Sequence, residues 1–246
     1  MVRITDLVVL PVSRQAINWA VTTATQKVIQ TDRGFVRRGL AQILQNTFQG
    51  DLAKNALIEW LKFGGIANNR IWEFDRVRPH FRSWNRLGYQ LKVTKSDGHE
   101  VTIDVNSSMP HQNETDRDII DRYDVKVTAG SSRNNLRDPS ALRSEVFVQI
   151  YVRPRVGMVE ETPNRIRDAL LAQEMSATRR LLQVSQAYGA NILTGFSWAT
   201  RQDVARFKRR FERRGQRTTW SFWRRIYWRC PIKSSRPMRT LIQYFT

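Results

Sequence analysis

The chain has 246 residues and a mass of 28.8 kDa, which is long enough to bury a sizeable core in one domain, with or without appended segments. Its single cysteine excludes an internal disulfide framework and a zinc site built from several cysteines. The 41 Lys and Arg residues outnumber the 22 Asp and Glu residues, so the net charge is +19. A charge of this size is typical of proteins whose partner is a polyanion.

The sequence lacks the features that direct a chain into or across a membrane. No stretch approaches the roughly 18 consecutive apolar residues that a membrane-spanning helix needs. The N-terminal apolar run is too short for a signal peptide and has no small-residue cleavage site. We therefore expect a soluble, cytoplasmic protein without a membrane partner.

Helices are predicted for the N-terminal part of the chain. Residues 13–30 carry apolar side chains at helical spacing, with Ser13 as the N-cap, and a second helix over 36–46 is predicted to be broken by Gly50. The clearest helix is predicted over 51–63, where Leu52, Ala56, Trp60 and Phe63 form one apolar stripe.

The ends of this third helix are also marked in the sequence. Asp51 is placed to complement the positive N-terminal end of the helix. Gly64 and Gly65 are predicted to end it.

Strands are predicted from residue 71 onwards, beginning with a first strand over 71–74. Residues 88–108 then form a hairpin, because apolar and polar residues alternate on both sides of Asp97-Gly98, and glycine accepts the positive φ of a tight turn. The alternating apolar positions are Tyr89, Leu91, Val93, Val101, Ile103 and Val105.

The rest of the chain mixes helices and strands. A short helix over 115–122 precedes strands over 123–128 and 146–152, a helix over 163–187 follows, and a basic helix over 203–214 leads into an aromatic and basic tail. This order predicts a single mixed α/β domain flanked by helices.

The hairpin places four polar side chains on one face, since successive side chains of a strand point to opposite faces. They are Gln90 and Lys92 on one strand and Asp104 and Asn106 on the other. The arrangement resembles the core of the PD-(D/E)XK nucleases, the restriction-endonuclease-like superfamily, in which one strand begins with an acid and the next carries an acid-x-lysine motif. The resemblance covers roughly residues 45–155 and a short Trp-Arg-Cys-Pro-Ile-Lys stretch in the tail.

The resemblance implies a magnesium-dependent site for phosphodiester hydrolysis. In that superfamily the acids hold Mg²⁺, which lowers the pKa of a water molecule and neutralises charge on the scissile phosphate. By this resemblance Asp104 is the central metal ligand and Glu59 an auxiliary one. Gln90 offers only a neutral amide, and Asn106 stands where the lysine is expected, so Lys92 is the candidate for the missing ammonium group.

Other interpretations of these positions stay open. Glu73 or Asp75 is a candidate for the missing acid. Asp104 and Asn106 also fit the solvent face of an ordinary hairpin. Asp124-Val125-Lys126 fits the acid-x-lysine pattern too, as many exposed strands do.

Histidine and cysteine offer little support for catalysis. Cys230 precedes a proline and is predicted to be a packed residue rather than a nucleophile. No spacing typical of metal ligands relates the three histidines, His80, His99 and His111.

The C-terminal fifth of the chain carries most of the charge. Residues 199–246 contain 14 basic and 2 acidic residues, which is +12 of the total +19. Arginine matches phosphate oxygens with two parallel hydrogen bonds. The candidate nucleic-acid-binding residues are Arg206, Lys208, Arg209, Arg210, Arg213, Arg214, Arg217, Arg224, Arg225 and Arg229. The alternation of Trp220/Phe222 and of Ile226/Trp228 predicts that these side chains face inward.

These observations predict an α/β protein with a restriction-endonuclease-like mixed central sheet, flanking helices and a basic C-terminal extension. The predicted segments are an N-terminal helical part over 1–45, a nuclease-like core over 46–198 and a DNA-contacting extension over 199–246. The favoured function is binding of double-stranded DNA by a subunit whose catalytic site is degenerate. Because nuclease domains of this kind often pair, a homodimer or a larger protein–DNA complex is expected. The alternatives are an active Mg²⁺-dependent DNA endonuclease and a basic RNA-binding factor.

Overall fold

The computed structural model describes residues 1–30, 40–77, 89–131, 134–135, 138–154, 191–222 and 225–246, together with isolated positions between 165 and 180. It shows an α/β protein with a mixed central sheet and helices. The strands are β1 (Val8–Leu10), β2 (Ile71–Glu73), β3 (Leu91–Thr94), β4 (Glu100–Ser108), β5 (Val127–Ser131), β6 (Asn134–Asn135), β7 (Val146–Pro154), β8 (Asn191–Thr200), β9 (Thr219–Phe222), β10 (Arg225–Trp228) and β11 (Arg236–Pro237). The helices are α1 (Arg14–Gln30), α2 (Leu40–Phe63), α3 (Phe74–Val77), α4 (Asp116–Arg122), α5 (Arg201–Arg213) and α6 (Leu241–Phe245).

The central sheet has seven strands, six of which follow the order β1-β8-β7-β4-β3-β2, while β11 also pairs with β8. Strands β4 and β7 run parallel, and the other neighbours are antiparallel, so the sheet is mixed. A second sheet of four antiparallel strands has the order β6-β5-β10-β9.

Two hydrophobic cores cover opposite faces of the central sheet, because side chains alternate along its strands. In the first core, Ile103 and Val148 pack with buried residues of α1, α2 and α6. In the second core, Phe147 and Tyr151 pack with residues of α4, α5 and the second sheet.

One buried polar side chain, Gln149 of β7, joins the two sheets. Its Nε2 donates to Ser108 Oγ of β4 at 3.0 Å, and its Oε1 accepts from the backbone N of Lys126 at 3.1 Å. The amide therefore links β4, β7 and the segment that leads into β5.

The N-terminal helices confirm the predictions in part. Helix α1 begins after Ser13, whose Oγ accepts from the backbone N of Ala16 at 3.0 Å, as expected of an N-cap. The predicted break at Gly50 is wrong, because α2 continues through it; the start of the predicted helix over 36–46 lies outside the described residues. Phe48 and Leu52 on either side of Gly50 are fully buried. Their packing outweighs the cost of about 1 kcal/mol that glycine brings to a helix interior.

Two consequences follow for the ends of α2. Asp51 lies inside the helix, so its predicted place at a positive helix end is wrong. Gly64 and Gly65 do follow the last residue, and Gly65 has a φ of +92°, which favours glycine. A side chain at Gly64 would clash with Ile242 of α6.

The predicted hairpin is confirmed by β3, β4 and the intervening Gly98, whose φ is +86°. Strands β2 and β7 and helices α4 and α5 confirm further predictions. The predicted strand over 123–128 is wrong at its start, because β5 begins at Val127 and Asp124 forms only an isolated bridge with Pro231. Most of the predicted helix over 163–187 lies outside the described residues.

Strand β8, which pairs with β1 and β7 in the central sheet, has no counterpart among the sequence predictions. Its sequence interrupts apolar residues with Thr194, Gly195 and Ser197, which hides the alternation. Helix α2 continues across the predicted segment boundary after residue 45, and β8 continues across the predicted boundary after residue 198. The division of the chain into three segments stays a prediction. None of the helices in the described ranges is long and apolar enough to cross a membrane.

Candidate functional site

Asp104 lies on the face of β4 that is turned toward the second core. It is half-buried, and its Oδ2 accepts a hydrogen bond from Asn106 Nδ2 at 3.0 Å. Burial raises the pKa of Asp104 from 3.8 to about 6, although the Asn106 hydrogen bond and the positive charge of Arg225 oppose this rise. The carboxyl group therefore takes up a proton just below neutral pH.

Gln90, which stands where the resemblance places the first acid, is engaged in the sheet. Its backbone N donates to the Ile103 carbonyl at 2.9 Å, and its side-chain Oε1 accepts from the backbone N of Val105 at 2.9 Å. The amide oxygen thus adds one hydrogen bond beyond the last backbone pair between β3 and β4.

Glu59, the predicted auxiliary ligand, forms hydrogen bonds at the start of helix α1. Its carboxylate oxygens accept from the backbone N of Ser13 at 3.2 Å and from the Ser13 hydroxyl. The contact joins α2 to the N-terminus of α1, where a negative charge is stabilising.

Lys92 is directed away from Asp104. It lies opposite Thr102 in the hairpin, and its Nζ is 2.9 Å from Glu100 Oε2 and 5.3 Å from the centre of the Trp72 ring. Glu100 and Asp104 lie on opposite sides of Thr102 along β4, so the ammonium group points toward the far end of the strand from Asp104.

These contacts do not fit a magnesium site. Mg²⁺ prefers several hard, largely anionic oxygens. Asp104 supplies one carboxylate, which accepts a hydrogen bond from the Asn106 side chain. The Glu59 carboxylate accepts a hydrogen bond from the Ser13 hydroxyl. Within the described ranges, no three or more His, Cys, Asp or Glu side chains form a group that could hold a metal ion.

Glu73 and Asp75, the candidates for the missing acid, belong to a charge cluster that the sequence analysis missed. Lys54 Nζ lies 2.7 Å from Glu73 Oε1 and 3.5 Å from Asp51 Oδ1, and it also contacts Asp75. Lys27 contacts both aspartates. An ammonium group therefore already lies among the three carboxylates. The spacing of Asp51 and Lys54, one helical turn apart, was the only local signal.

The charges of this cluster stabilise one another. Burial lowers the pKa of Lys54, but the surrounding carboxylates outweigh burial and raise it above its usual range. Burial raises the pKa of Asp75, but Lys54 and Lys27 outweigh burial and lower it to about 2. The cluster joins α1, α2, β2 and α3 through the contacts of Lys27 and Lys54.

The Asp124-Val125-Lys126 motif has a structural role. Asp124 Oδ1 accepts from the backbone N of Cys230 at 3.0 Å, and burial raises the pKa of Asp124 to about 6 against the opposing charge of Arg229. Cys230 is fully buried, as predicted, and burial raises the pKa of its thiol. His80 lies outside the described residues.

Helix α5 carries a basic surface. Its inner side, with Val204, Phe207 and Phe211, is buried in the second core. Five arginines of its outer side and of the following turn are exposed, and their guanidinium groups form no hydrogen bond or ion pair with any residue that the structure describes. We call these residues the arginine face: Arg209, Arg210, Arg213, Arg214 and Arg217.

Two of the predicted contact residues on α5 are paired instead. Arg206 Nη2 is 2.8 Å from Asp203 Oδ1, and Lys208 Nζ is 2.8 Å from Glu212 Oε1. The Lys208–Glu212 pair is on the surface, so its net contribution to stability is small, whereas Asp203 of the other pair is buried.

The predicted contact residues of the tail also include one that packs on the protein and one that is exposed. Arg229 is half-buried, with its guanidinium 4.6 Å from the centre of the Phe211 ring. Arg225 is exposed on β10, and Arg224 lies outside the described residues.

The inward orientation predicted for the aromatic residues holds for Trp228, which is 3% exposed, and is wrong for Phe222, which is 55% exposed. Phe222 lies at the end of β9, an edge strand of the four-stranded sheet.

Comparison with known proteins gives no identification: no family model, no curated protein and no solved structure matches this chain. The arginine face is the cluster of unpaired charge on which the proposal below depends.

Proposed function

We propose that this protein binds double-stranded DNA through the backbone phosphates, as a restriction-endonuclease-like subunit whose catalytic site is degenerate. The observation that carries the proposal is the arginine face, in which five exposed guanidinium groups within residues 209–217 lack an acidic partner among the described residues. Guanidinium groups match phosphate oxygens with two hydrogen bonds each. Like charges held this close repel one another, and a polyanion relieves that repulsion.

The fold holds the arginines on one surface. Arg209 and Arg213 are four residues apart on α5, as are Arg210 and Arg214 at its end, so each pair lies on neighbouring turns. The Thr200 hydroxyl accepts from the backbone N of Asp203 at 3.1 Å and caps the start of the helix.

Beyond the helix, Gly215 reverses the chain with a φ of +63°. The reversal places Arg217 in the turn between α5 and β9.

The order of elements supports the restriction-endonuclease-like part of the proposal. Helix α2 is followed by β2, by the β3–β4 hairpin and by β7, which is parallel to β4. The contacts of Gln90, Glu59 and Lys92 support the proposal that the catalytic site is degenerate. Each of these side chains forms a hydrogen bond with a residue other than Asp104.

The test is a titration of labelled duplex DNA by fluorescence anisotropy between about 50 and about 200 mM salt. Affinity is expected to fall steeply with salt, with a log–log slope of about −0.9 per phosphate contact. The triple variant Arg209→Ala, Arg210→Ala, Arg213→Ala is expected to reduce the slope by up to about 2.7. The control replaces Arg117 and Arg122 of α4, which are also exposed but pair with aspartates.

Two outcomes would overturn the proposal: an affinity that barely changes with salt, or an equal loss in the control variant. Competition with an RNA duplex of the same length separates the runner-up function. If RNA competes better than DNA, RNA replaces DNA as the partner.

A further inference from the structure

Asp203, the buried aspartate in the first turn of α5, holds two arginines side by side. Arg206 Nη2 lies 2.8 Å from Asp203 Oδ1, and Arg236 of β11 reaches the same oxygen with its Nη2 at 3.5 Å. The Nε of Arg236 also donates to Asp203 Oδ2 at 2.7 Å. Both guanidinium groups contact one carboxylate and therefore lie next to each other. We call Arg206 and Arg236 the arginine pair.

The arginine pair reaches the surface, although its carboxylate does not. The side chains of Arg206 and Arg236 are 62% and 43% exposed, whereas that of Asp203 is 3% exposed. A guanidinium group carries five N–H donors, so Asp203 takes up only part of the donors of each arginine. Neither side chain has another hydrogen-bond acceptor among the residues that the structure describes. The remaining donors are therefore available to a ligand.

Asp203 stays charged, and both of its oxygens are used inside the protein. Its Oδ2 also accepts from the backbone N of Thr200 at 3.0 Å and from the Thr200 hydroxyl at 2.9 Å. Burial raises the pKa of Asp203, but hydrogen bonds from Arg236 and Thr200 outweigh burial and lower it. Two arginines against one aspartate leave this place with a surplus of one positive charge.

Arg236 is held by a second contact as well. Its guanidinium lies 4.9 Å from the centre of the Trp198 ring, which is buried, and the indole Nε1 of Trp198 donates to the Pro237 carbonyl at 3.0 Å. Arginine side chains otherwise lose much rotamer entropy when they bind a ligand. For an arginine that is fixed in the free protein, this entropy is already lost on folding.

The arginine pair continues the arginine face along α5. Arg206, Arg210 and Arg213 are spaced by four and three residues, so they lie along one side of the helix. At a rise of about 1.5 Å per residue, this row is about 10 Å long. Duplex DNA carries one phosphate per roughly 1.7 Å of its axis, so a row of this length can contact more than one phosphate.

We propose that the arginine pair binds a backbone phosphate beside the arginine face, and that Asp203 is the positioning residue that holds both guanidinium groups for this contact. The inference rests on the nucleic-acid binding proposed above and extends the contact surface from α5 to β11. An acidic residue then strengthens the binding of a polyanion, which is the opposite of what its charge alone predicts.

The first experiment titrates the labelled duplex with Asp203→Asn and with Asp118→Asn. Asp118 is the matched control, because it has the same place in the Thr-x-x-Asp cap of α4 as Asp203 has in the cap of α5. On charge alone, loss of a carboxylate favours binding to DNA in both variants. If Asp203 positions the arginine pair, Asp203→Asn binds about 5-fold more weakly, the low end of the cost of ordering two side chains. Its salt slope should stay unchanged, because both arginines remain.

The second experiment uses the double variant Arg206→Gln, Arg236→Gln. Each glutamine keeps an amide donor for Asp203 and removes one positive charge. The salt slope is expected to fall by about 0.9, the value for one phosphate contact. The control is Arg117→Gln, Arg122→Gln on α4, where each arginine is paired with an aspartate, and its slope should equal that of the wild type. Urea unfolding of every variant ensures that folded proteins are compared, and the double variant decides the question if Asp203→Asn does not fold.

Three results would overturn these assignments. If Asp203→Asn binds the duplex as tightly as Asp118→Asn, or more tightly, Asp203 is not a positioning residue. A wild-type salt slope in the double variant of the arginine pair overturns the phosphate contact and leaves the arginine face standing. Binding by the wild type that is insensitive to salt overturns both the arginine pair and the proposed function.

Discussion

Replacing Asp104 with Asn is expected to stabilise the folded protein at neutral pH. Burial raises the pKa of Asp104 from 3.8 in the unfolded chain to about 6 in the folded state, so folding disfavours its charged form. Between these pH values the folded state binds more protons than the unfolded state. The free energy of unfolding therefore falls as the pH rises from about 4 to about 6. Asn carries no charge, has nearly the same shape and still offers an oxygen to Asn106.

The magnitude follows from the size of the pKa change. A pKa that is higher by about 2 corresponds to about 3 kcal/mol at pH 7, since each pKa unit corresponds to about 1.4 kcal/mol. Asp104 keeps part of its surface in water, which screens its charge, so about 3 kcal/mol is an upper limit and we expect a gain of about 1 to 2 kcal/mol. For a protein of this size, each kcal/mol raises Tm by about 2 to 4 °C.

The assay is urea unfolding of the wild type and of Asp104→Asn at about pH 7 and about pH 4. The variant should be the more stable protein at neutral pH, and the difference should nearly vanish at the lower pH. Asp97→Asn makes the same chemical change in the exposed turn of the same hairpin and serves as the control. A variant that is less stable than the wild type at neutral pH would refute the reasoning, as would a difference that does not change with pH.

Two further predictions concern the charge cluster and the catalytic site that we propose to be degenerate. Lys54→Met should lower the free energy of unfolding by about 3 to 5 kcal/mol, because it leaves buried carboxylates without their central ammonium group. Lys62→Met, at an exposed position of the same helix, should lower it far less. A similar loss in both variants would show that Lys54 is not essential to the cluster. Supercoiled plasmid should remain intact with Mg²⁺ or Mn²⁺, and nicking that disappears in Asp104→Ala would instead establish an active nuclease.

Elements whose determinants are close in the chain could be predicted from the sequence. The β3–β4 hairpin needs only alternating side chains and Asp97-Gly98, and α4 needs only Thr115 as its N-cap. The continuity of α2 through Gly50 could not be predicted, because it depends on neighbours that are buried by distant parts of the chain. Strand β8 was missed for a related reason: it has a paired strand on each side and is covered on both faces, so polar and apolar residues need not alternate along it.

The candidate site depends on contacts between residues that are distant in sequence. The backbone N of Val105 donates to the side-chain oxygen of Gln90, 15 residues away in the sequence. The backbone N of Ser13 donates to the Glu59 carboxylate, 46 residues away. Strand alternation reveals which face a side chain occupies but not which backbone group it meets. Net charge, in contrast, is a property of composition, so the basic segment was predictable. The paired state of Arg206 and Lys208 depends on geometry that composition does not contain.

The buried amide of Gln149 has a consequence for the nucleic-acid binding that we propose. Separating the two sheets would leave polar groups unpaired in the second core, at a cost of about 1 to 3 kcal/mol each. Helix α5 packs in that same core, so the backbone that carries the arginine face is fixed before a partner binds. The backbone entropy is lost on folding, and only the exposed arginine side chains would lose conformational entropy on binding. For the proposed polyanionic partner, the association rate would then be set by long-range electrostatic steering and not by a folding step.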